Sequence, residues 1–146
     1  MPAEIRFFRF YERNGFLSNF YPSPIEIDGK VWPTVEHYFQ AAKFPDYPAY
    51  QQRVREARTP DDAKRLGGTR HLPILRDWDS RRVPIMINAL IAKFTGHEEL
   101  REALLATGDA ALIEANPHDP YWGSGRQGSG QNMLGKLLME LRASLT

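Results

Sequence analysis

An α+β fold, mainly helical with a small antiparallel β-sheet, is predicted by three features of this 146-residue sequence. Near the N-terminus, IRFFRFY (residues 5–11) is aromatic-rich and partly alternating, as a strand requires. Next, IEIDGKVW (25–32) sets Asp28-Gly29 between two short apolar arms. That dipeptide accepts the positive φ of a tight hairpin turn. From Thr34 onward, helical spacing and cap signals dominate. No repeat, linker or low-complexity tract interrupts the chain, so residues 1–146 are expected to form one domain.

The elements follow in order. NGFLSNFYPSP (14–24) is turn-rich yet aromatic and is expected to be a loop that packs. Thr34 can cap the helix carrying WPTVEHYFQAAKF (32–44). A second helix is expected over 48–57. In Thr59-Pro60-Asp61-Asp62 a cap precedes a first-position proline and two first-turn acids, a strong start signal; Gly67-Gly68 ends that helix. A longer helix begins at Ser80, carries Pro84 in its first turns and closes at Gly96. HEELREALLATG (97–108) is another short helix, and AALIEAN (110–116) reads equally as helix or strand. Residues 116–131 form a long loop. The last helix, 132–145, places Leu134, Leu137, Leu138 and Leu141 on one face.

Composition removes several classes of function. Nineteen basic against eighteen acidic residues leave a net charge of +1, too weak for bulk capture of nucleic acid. The absence of cysteine excludes disulfides, thiolate nucleophiles and zinc–thiolate sites, including the zinc deaminase type. The longest apolar run, residues 85–92, is broken by Asn88 and too short to span a bilayer. MPAEIRFF lacks a basic-then-apolar signal. A cytoplasmic protein without membrane partners is expected.

Familiar motifs also fail. GSGRQG (123–128) matches a dinucleotide fingerprint by letter, but no strand precedes it and no room remains for the ribose-binding acid about 20 residues on. There is no Walker sequence and no G-x-S-x-G elbow. His37, His71, His97 and His118 lack metal-ligand spacing.

Three stretches can carry chemistry. In the helix after Thr34, at 100° per residue, Val35, Tyr38, Phe39 and Ala42 form the apolar stripe. Glu36, Gln40 and Lys43 lie on its flank, the outer two about 10 Å apart along the axis. Two groups so placed can reach one small ligand from both ends. They equally suit a solvated edge, with an acid near the helix start and a base near its end. The glycine-rich loop NPHDPYWGSGRQGSGQN (116–132) feeds a helix N-terminus, so its N–H groups can converge on an anion such as phosphate; Asp119 and Trp122 are near. The alternatives are a flexible loop, or Trp122 as a packing anchor. In LRDWD (75–79), Trp78 can stack on a heterocycle or staple a helix entry. Arg70 and Arg76 are either anion partners or exposed charges.

Together, GFLSNFYPSPIEIDGKVWPTVEHYFQAAKF, LRDW, MINALIAKF and LLATGDAALIEANPHDPYWGSGRQGSGQNMLGKLLMELR resemble the YbiA-like, or NADAR, family over residues 16–145. The order and spacing of several separate motifs agree. The L-R pair lies one residue closer to Trp78 than the family pattern leads one to expect. The resemblance implies a mainly helical α+β fold and N-glycosidase chemistry on ribosylated nitrogen heterocycles, with no cofactor and no metal. Two substrate classes go with the family: ribosylaminopyrimidine phosphates of riboflavin synthesis, and ADP-ribose on guanine, which would make ADP-ribosylated nucleic acid a partner. Carried over by position, Glu36, Lys43 and Asp119 are the catalytic set. Asn19, Gln40, Trp78, Trp122, Gly123, Gly130 and Asn132 are the substrate-binding set. Lys43 is expected either to neutralise a phosphate or, with its pKa lowered by burial, to attack the sugar and form a Schiff base. A module that binds a nucleotide or ADP-ribose without turnover is the alternative, and it would leave the sugar–base bond intact. A purely structural adaptor would show a broad exposed apolar patch instead of a Gly/Trp loop.

Overall fold

The structure is a computed structural model in which residues 3–146 are described. Two compact units are formed, one by the segment ending at Tyr21 together with His97–Thr146, the other by Pro22–Gly96.

The Pro22–Gly96 unit opens with the expected hairpin. Strand β2 (Ile25–Ile27) pairs antiparallel with β3 (Lys30–Trp32), Ile27 opposite Lys30. The turn residues Asp28 and Gly29 have φ of 53° and 78°, the pair of positive values a type I′ turn needs. Helix α1 (Val35–Ala41) follows, and the Thr34 side chain accepts from His37 N as an N-cap. The helix stops earlier than expected. The last turn tightens, with Lys43 N donating to the Gln40 carbonyl and Phe44 N to that of Ala41. Pro45 then disfavours the α conformation in the residue before it. Lys43 therefore stands just beyond the helix.

Helix α2 (Pro48–Arg55) and helix α3 (Pro60–Gly67) both start on proline, and Thr59 caps α3 through Asp62 N. Helix α4 (Trp78–Gly96) begins two residues before the expected Ser80. Pro84 lies inside it on the exposed face, where the carbonyl deprived of a donor can meet water. Helix α1 contacts α2, α3, α4 and β3, so it is enclosed on nearly all sides. Val35, Glu36, His37, Phe39, Gln40 and Ala41 are all buried. The expected contrast between an apolar stripe and a polar flank is thereby lost.

In the other unit, β1 (Glu4–Phe7) is shorter than the aromatic run suggests. A single 3₁₀ turn covers Gly15–Leu17 within the packed loop. Helix α5 (Glu98–Ala106) leads to β4 (Ala111–Glu114), which resolves the ambiguous stretch as a strand. β4 pairs with β1 in parallel, Ile5 opposite Leu112. The antiparallel component is thus the hairpin alone, and β1 with β4 forms a separate two-stranded parallel sheet. Helix α6 (Met133–Ser144) closes the chain. Its Leu134 and Leu138 are fully buried, each side chain worth roughly 1.5–3 kcal/mol of transfer free energy. The Arg142 guanidinium donates to Thr107 Oγ1 at 2.8 Å and to the Ala110 carbonyl at 2.9 Å, which ties α6 to the turn before β4.

Candidate active site

The flank of α1 is not solvated. Glu36 is 7% exposed and Gln40 6%. A buried carboxylate needs donors, and Gln40, one turn on, supplies one: its Nε2 donates to Glu36 Oε2 at 3.2 Å. This fixes the amide orientation, since the reverse would set an oxygen against the carboxylate. The other end of the amide, Gln40 Oε1, is buried without a hydrogen-bond partner. It lies against Gly67, the last residue of α3, where a Cβ would stand only 1.9 Å away.

Gly67 also receives Lys43. The ammonium nitrogen donates to the Gly67 carbonyl at 3.4 Å and stands 5.8 Å from the centre of the Trp78 ring. Burial lowers the pKa of this amine below that of an ordinary lysine. The negative charge of Glu36 partly opposes the shift, and the positive charge of Lys64 adds to it. The backbone around Lys43 is held as well, because its carbonyl accepts from Leu75 N at 2.6 Å. Trp78, the first residue of α4, packs on Phe39 with ring centroids 5.1 Å apart. Glu36, Gln40, Lys43 and Trp78 are thus linked along α1 and the residues just after it, with Gln40 and Lys43 meeting Gly67 at the end of α3. Arg70 and Arg76 are exposed.

His37 lies on the same helix and fixes its start. Its Nδ1 is 2.8 Å from Thr34 Oγ1, and its Nε2 is 3.0 Å from the carbonyl of Ala57. A carbonyl only accepts, so Nε2 carries the proton and Nδ1 accepts from the threonine hydroxyl. Burial lowers the His37 pKa, the Ala57 hydrogen bond opposing. Sequence spacing gives no hint of this role, because the partner carbonyl is twenty residues away.

The remaining predicted residues belong to the other unit. Asn19 is buried just after the 3₁₀ turn. Asp119 Oδ1 accepts from the backbone N–H groups of Tyr121 and Trp122 at 3.0 and 2.9 Å. The Trp122 ring stacks edge-on against Tyr121, centroids 4.9 Å apart.

The glycine-rich loop differs from expectation. Most of its N–H groups are not free to converge on an anion, because the chain's own carbonyls already accept from them. Gly123 N donates to Asp119 O, Ser124 N to Glu114 O, Gly125 N to Asn116 O and Gly130 N to Ser124 O. The first donors of α6 are used likewise: Met133 N reaches Tyr121 O at 3.0 Å and Leu134 N reaches Trp122 O at 3.1 Å. Glycine here permits close backbone contact. A Cβ on Gly123 would meet Asp119 O at 2.9 Å, and one on Gly130 would meet Gly123 O at 2.5 Å. Asn132, with φ of 50°, uses its side chain as a strap. Oδ1 accepts from Glu114 N at 2.9 Å and Nδ2 donates to Leu112 O at 2.8 Å.

Among the described residues no group of three or more His, Cys, Asp or Glu could hold a metal ion. No helix of the described residues is long and apolar enough to cross a membrane.

The NADAR domain model matches residues 6–146. The sequence is 48% identical to the N-glycosidase YbiA of Escherichia coli (strain K12) over 141 residues, covering 97% of this chain and 88% of that protein. It is 41% identical to the N-glycosidase Npun_R5314 of Nostoc punctiforme, covering 97% and 92%. With the chloroplastic riboflavin biosynthesis protein PYRR of Zea mays the identity is 40%, over 97% of this chain and 25% of the maize protein. The NMR structure of E. coli YbiA superimposes with a TM-score of 0.90 at 46% identity, over 99% of this chain and 86% of that one. The chain belongs to the NADAR family.

Proposed function

We propose that this protein is an N-glycosidase that releases the free base from a ribosylated nitrogen heterocycle. The observation that carries the reading is the buried Glu36 carboxylate, oriented by Gln40, in the field of an amine whose pKa burial has lowered. An oxocarbenium-like centre develops at the anomeric carbon as the C–N bond breaks. A fixed carboxylate in a site of low polarity stabilises that charge without reorganising, or takes a proton from the attacking water.

Lys43 has two roles open to it in the same geometry. As a cation it neutralises a phosphate. As a neutral amine it attacks the anomeric carbon: a Nζ–C bond forms, the C–N bond to the base breaks with its electron pair, and the base nitrogen takes up a proton. Ring opening gives a Schiff base, which water hydrolyses to release the sugar. The lowered pKa supports the second role. We assign the protonation of the leaving nitrogen to Asp119, whose second carboxylate oxygen is outside the turn made by Oδ1. Asn19, Gln40, Trp78 and Trp122 are assigned to hold the substrate. Gly123, Gly130 and Asn132 are assigned to shape the loop.

Two substrate classes fit: ribosylaminopyrimidine phosphates and ADP-ribosylated guanine, the latter in nucleic acid. Relatives named as riboflavin biosynthesis proteins, from maize and from Vibrio vulnificus, favour the first. The deciding experiment incubates the purified protein with both classes, with and without EDTA, and follows free base by mass spectrometry. Release of base from either class is the expected result. Prolonged binding with the bond intact would instead make this a reader of ADP-ribose or nucleotides. Activity lost in EDTA and restored by a divalent ion would overturn a mechanism that uses these side chains alone.

A further inference from the structure

Gly67 reads in the sequence as one of two glycines that stop α3, yet it does not serve that purpose. Its φ is not positive, so no left-handed cap depends on it, and Gly68, the C-cap, has φ of −89°. What distinguishes Gly67 is space. A Cβ there would fall 1.9 Å from Oε1, 2.6 Å from Cδ and 2.8 Å from Cβ of Gln40. The conflict reaches the root of the Gln40 side chain, so a change of rotamer cannot remove it, and α1 and α3 would have to part. At Gly68 a Cβ meets only the carbonyls of Arg65 and Lys64, at 3.5 and 3.8 Å, which is ordinary contact.

We infer that Gly67 is a positioning residue for the reaction, setting both the Glu36 carboxylate and the Lys43 amine. This rests on the roles proposed above for those two side chains. The missing side chain lets Gln40 lie flat against the α3 backbone with Oε1 toward Gly67 and Nε2 toward Glu36. The same residue's carbonyl accepts from Lys43 Nζ. One glycine therefore ties the orientation of the carboxylate to the seat of the amine. Any side chain at position 67 would loosen both at once while leaving each catalytic group in the sequence.

The test compares Gly67→Ala with Gly68→Ala, each checked for folding by thermal denaturation and circular dichroism. Gly68→Ala should match the wild type. Gly67→Ala should lose on the order of 10²-fold in kcat, the lower end of what a positioned acid or base contributes, with a much smaller change in KM. Its pH–rate profile should also shift, the limb due to Lys43 moving up toward the range of an ordinary lysine as the amine leaves its buried seat. Gln40→Met, which fills the same space without the amide donor, should reproduce the fall in kcat and keeps the test open should Gly67→Ala not fold. A folded Gly67→Ala or a Gln40→Met with wild-type kcat and pH profile would overturn the inference, provided Glu36→Gln and Lys43→Met are inactive. If those two variants remain active, the reading of the site itself fails.

Discussion

Gln40 donates its side-chain N–H to the Glu36 carboxylate, and the other face of the same amide is pressed on Gly67. The pairing is one helical turn in length, yet the side chain that makes it is confined by a different helix. Glu36 is therefore a carboxylate with one orientation, which a surface glutamate on a seven-residue helix would not have.

Glu36→Gln keeps shape and can still accept from Gln40, but it removes the charge. Turnover should fall by roughly 10²–10⁴-fold, the usual worth of a positioned acid or base. The fold should persist, because the charge at a partly buried helix start such as that of α1 contributes no more than about 2 kcal/mol. Parallel kcat and thermal-melt measurements check both. Wild-type turnover would return Glu36 to a structural role.

The two roles of Lys43 predict opposite pH dependences. Its pKa in the folded protein lies below the ordinary 10.5. A nucleophilic amine must be neutral, so activity should rise as pH rises through that lowered value. A purely electrostatic cation would lose activity over the same interval. Borohydride added during turnover should trap the sugar on the wild type and not on Lys43→Met, which should be inactive. The adduct should map to Lys43 and not to Lys93. The Lys93 amine is also lowered, to about 7, but its side chain is wholly buried. A profile that falls with pH and yields no adduct would leave Lys43 as a counter-charge.

His37 predicts the acid limb of stability. Its pKa in the folded state is below 6.5, so the unfolded chain binds the proton more readily. Stability is then full above about 6.5 and declines as pH falls through 6.5 toward the folded-state value. Protonation also destroys the acceptor at Nδ1 that meets Thr34. Thermal melts between pH 5 and 8 should show this loss, and His37→Gln should flatten it. An unchanged slope in the variant would assign the acid limb to other groups.

Much of this fold is legible because its signals are local. Asp28-Gly29, Thr34 and Thr59-Pro60 each state a turn or cap within four residues, and each appears as read. The pairing of β4 with β1 was not legible, since its partners stand at opposite ends of the chain and neither strand is long. Glu36 and Lys43 stood out through motif resemblance. Helical spacing alone left the solvated-edge reading open, because the burial of α1 depends on α2, α3 and α4 around it. The glycine-rich loop was misleading for a related reason. Glycine announces that backbones can approach, but whether the N–H groups face a ligand or the chain's own carbonyls depends on contacts up to twenty residues away, such as that of Asn132 with Leu112.

The loop itself therefore predicts a different phenotype from that of a phosphate cradle. A side chain at position 130 would stand 2.5 Å from Gly123 O and 2.6 Å from the Ser124 carbonyl carbon, both backbone atoms that cannot rotate away. Gly130→Val should lower the melting temperature and loosen the start of α6. An increase in KM on an otherwise native protein is not expected. Hydrogen exchange at Asn132, Met133 and Leu134, whose N–H groups reach back to Gly123, Tyr121 and Trp122, should accelerate first. Native exchange at those amides with a raised KM would restore the anion-binding view of the loop.

Asp119 allows its structural and chemical roles to be separated. Asp119→Asn preserves Oδ1, the acceptor for Tyr121 N and Trp122 N, so the turn should survive while the titratable group disappears. Asp119→Ala removes both. If Asp119 protonates the leaving nitrogen, the two variants should lose kcat equally, by roughly 10²–10⁴-fold, while only Asp119→Ala loses stability, by about 1 kcal/mol, as for other lost side-chain-to-backbone caps. A substrate whose leaving base needs no proton should rescue both variants in proportion to its acidity. If Asp119→Asn turns over at the wild-type rate and Asp119→Ala does not, the residue serves the turn alone, and the proton must come from another donor or from water.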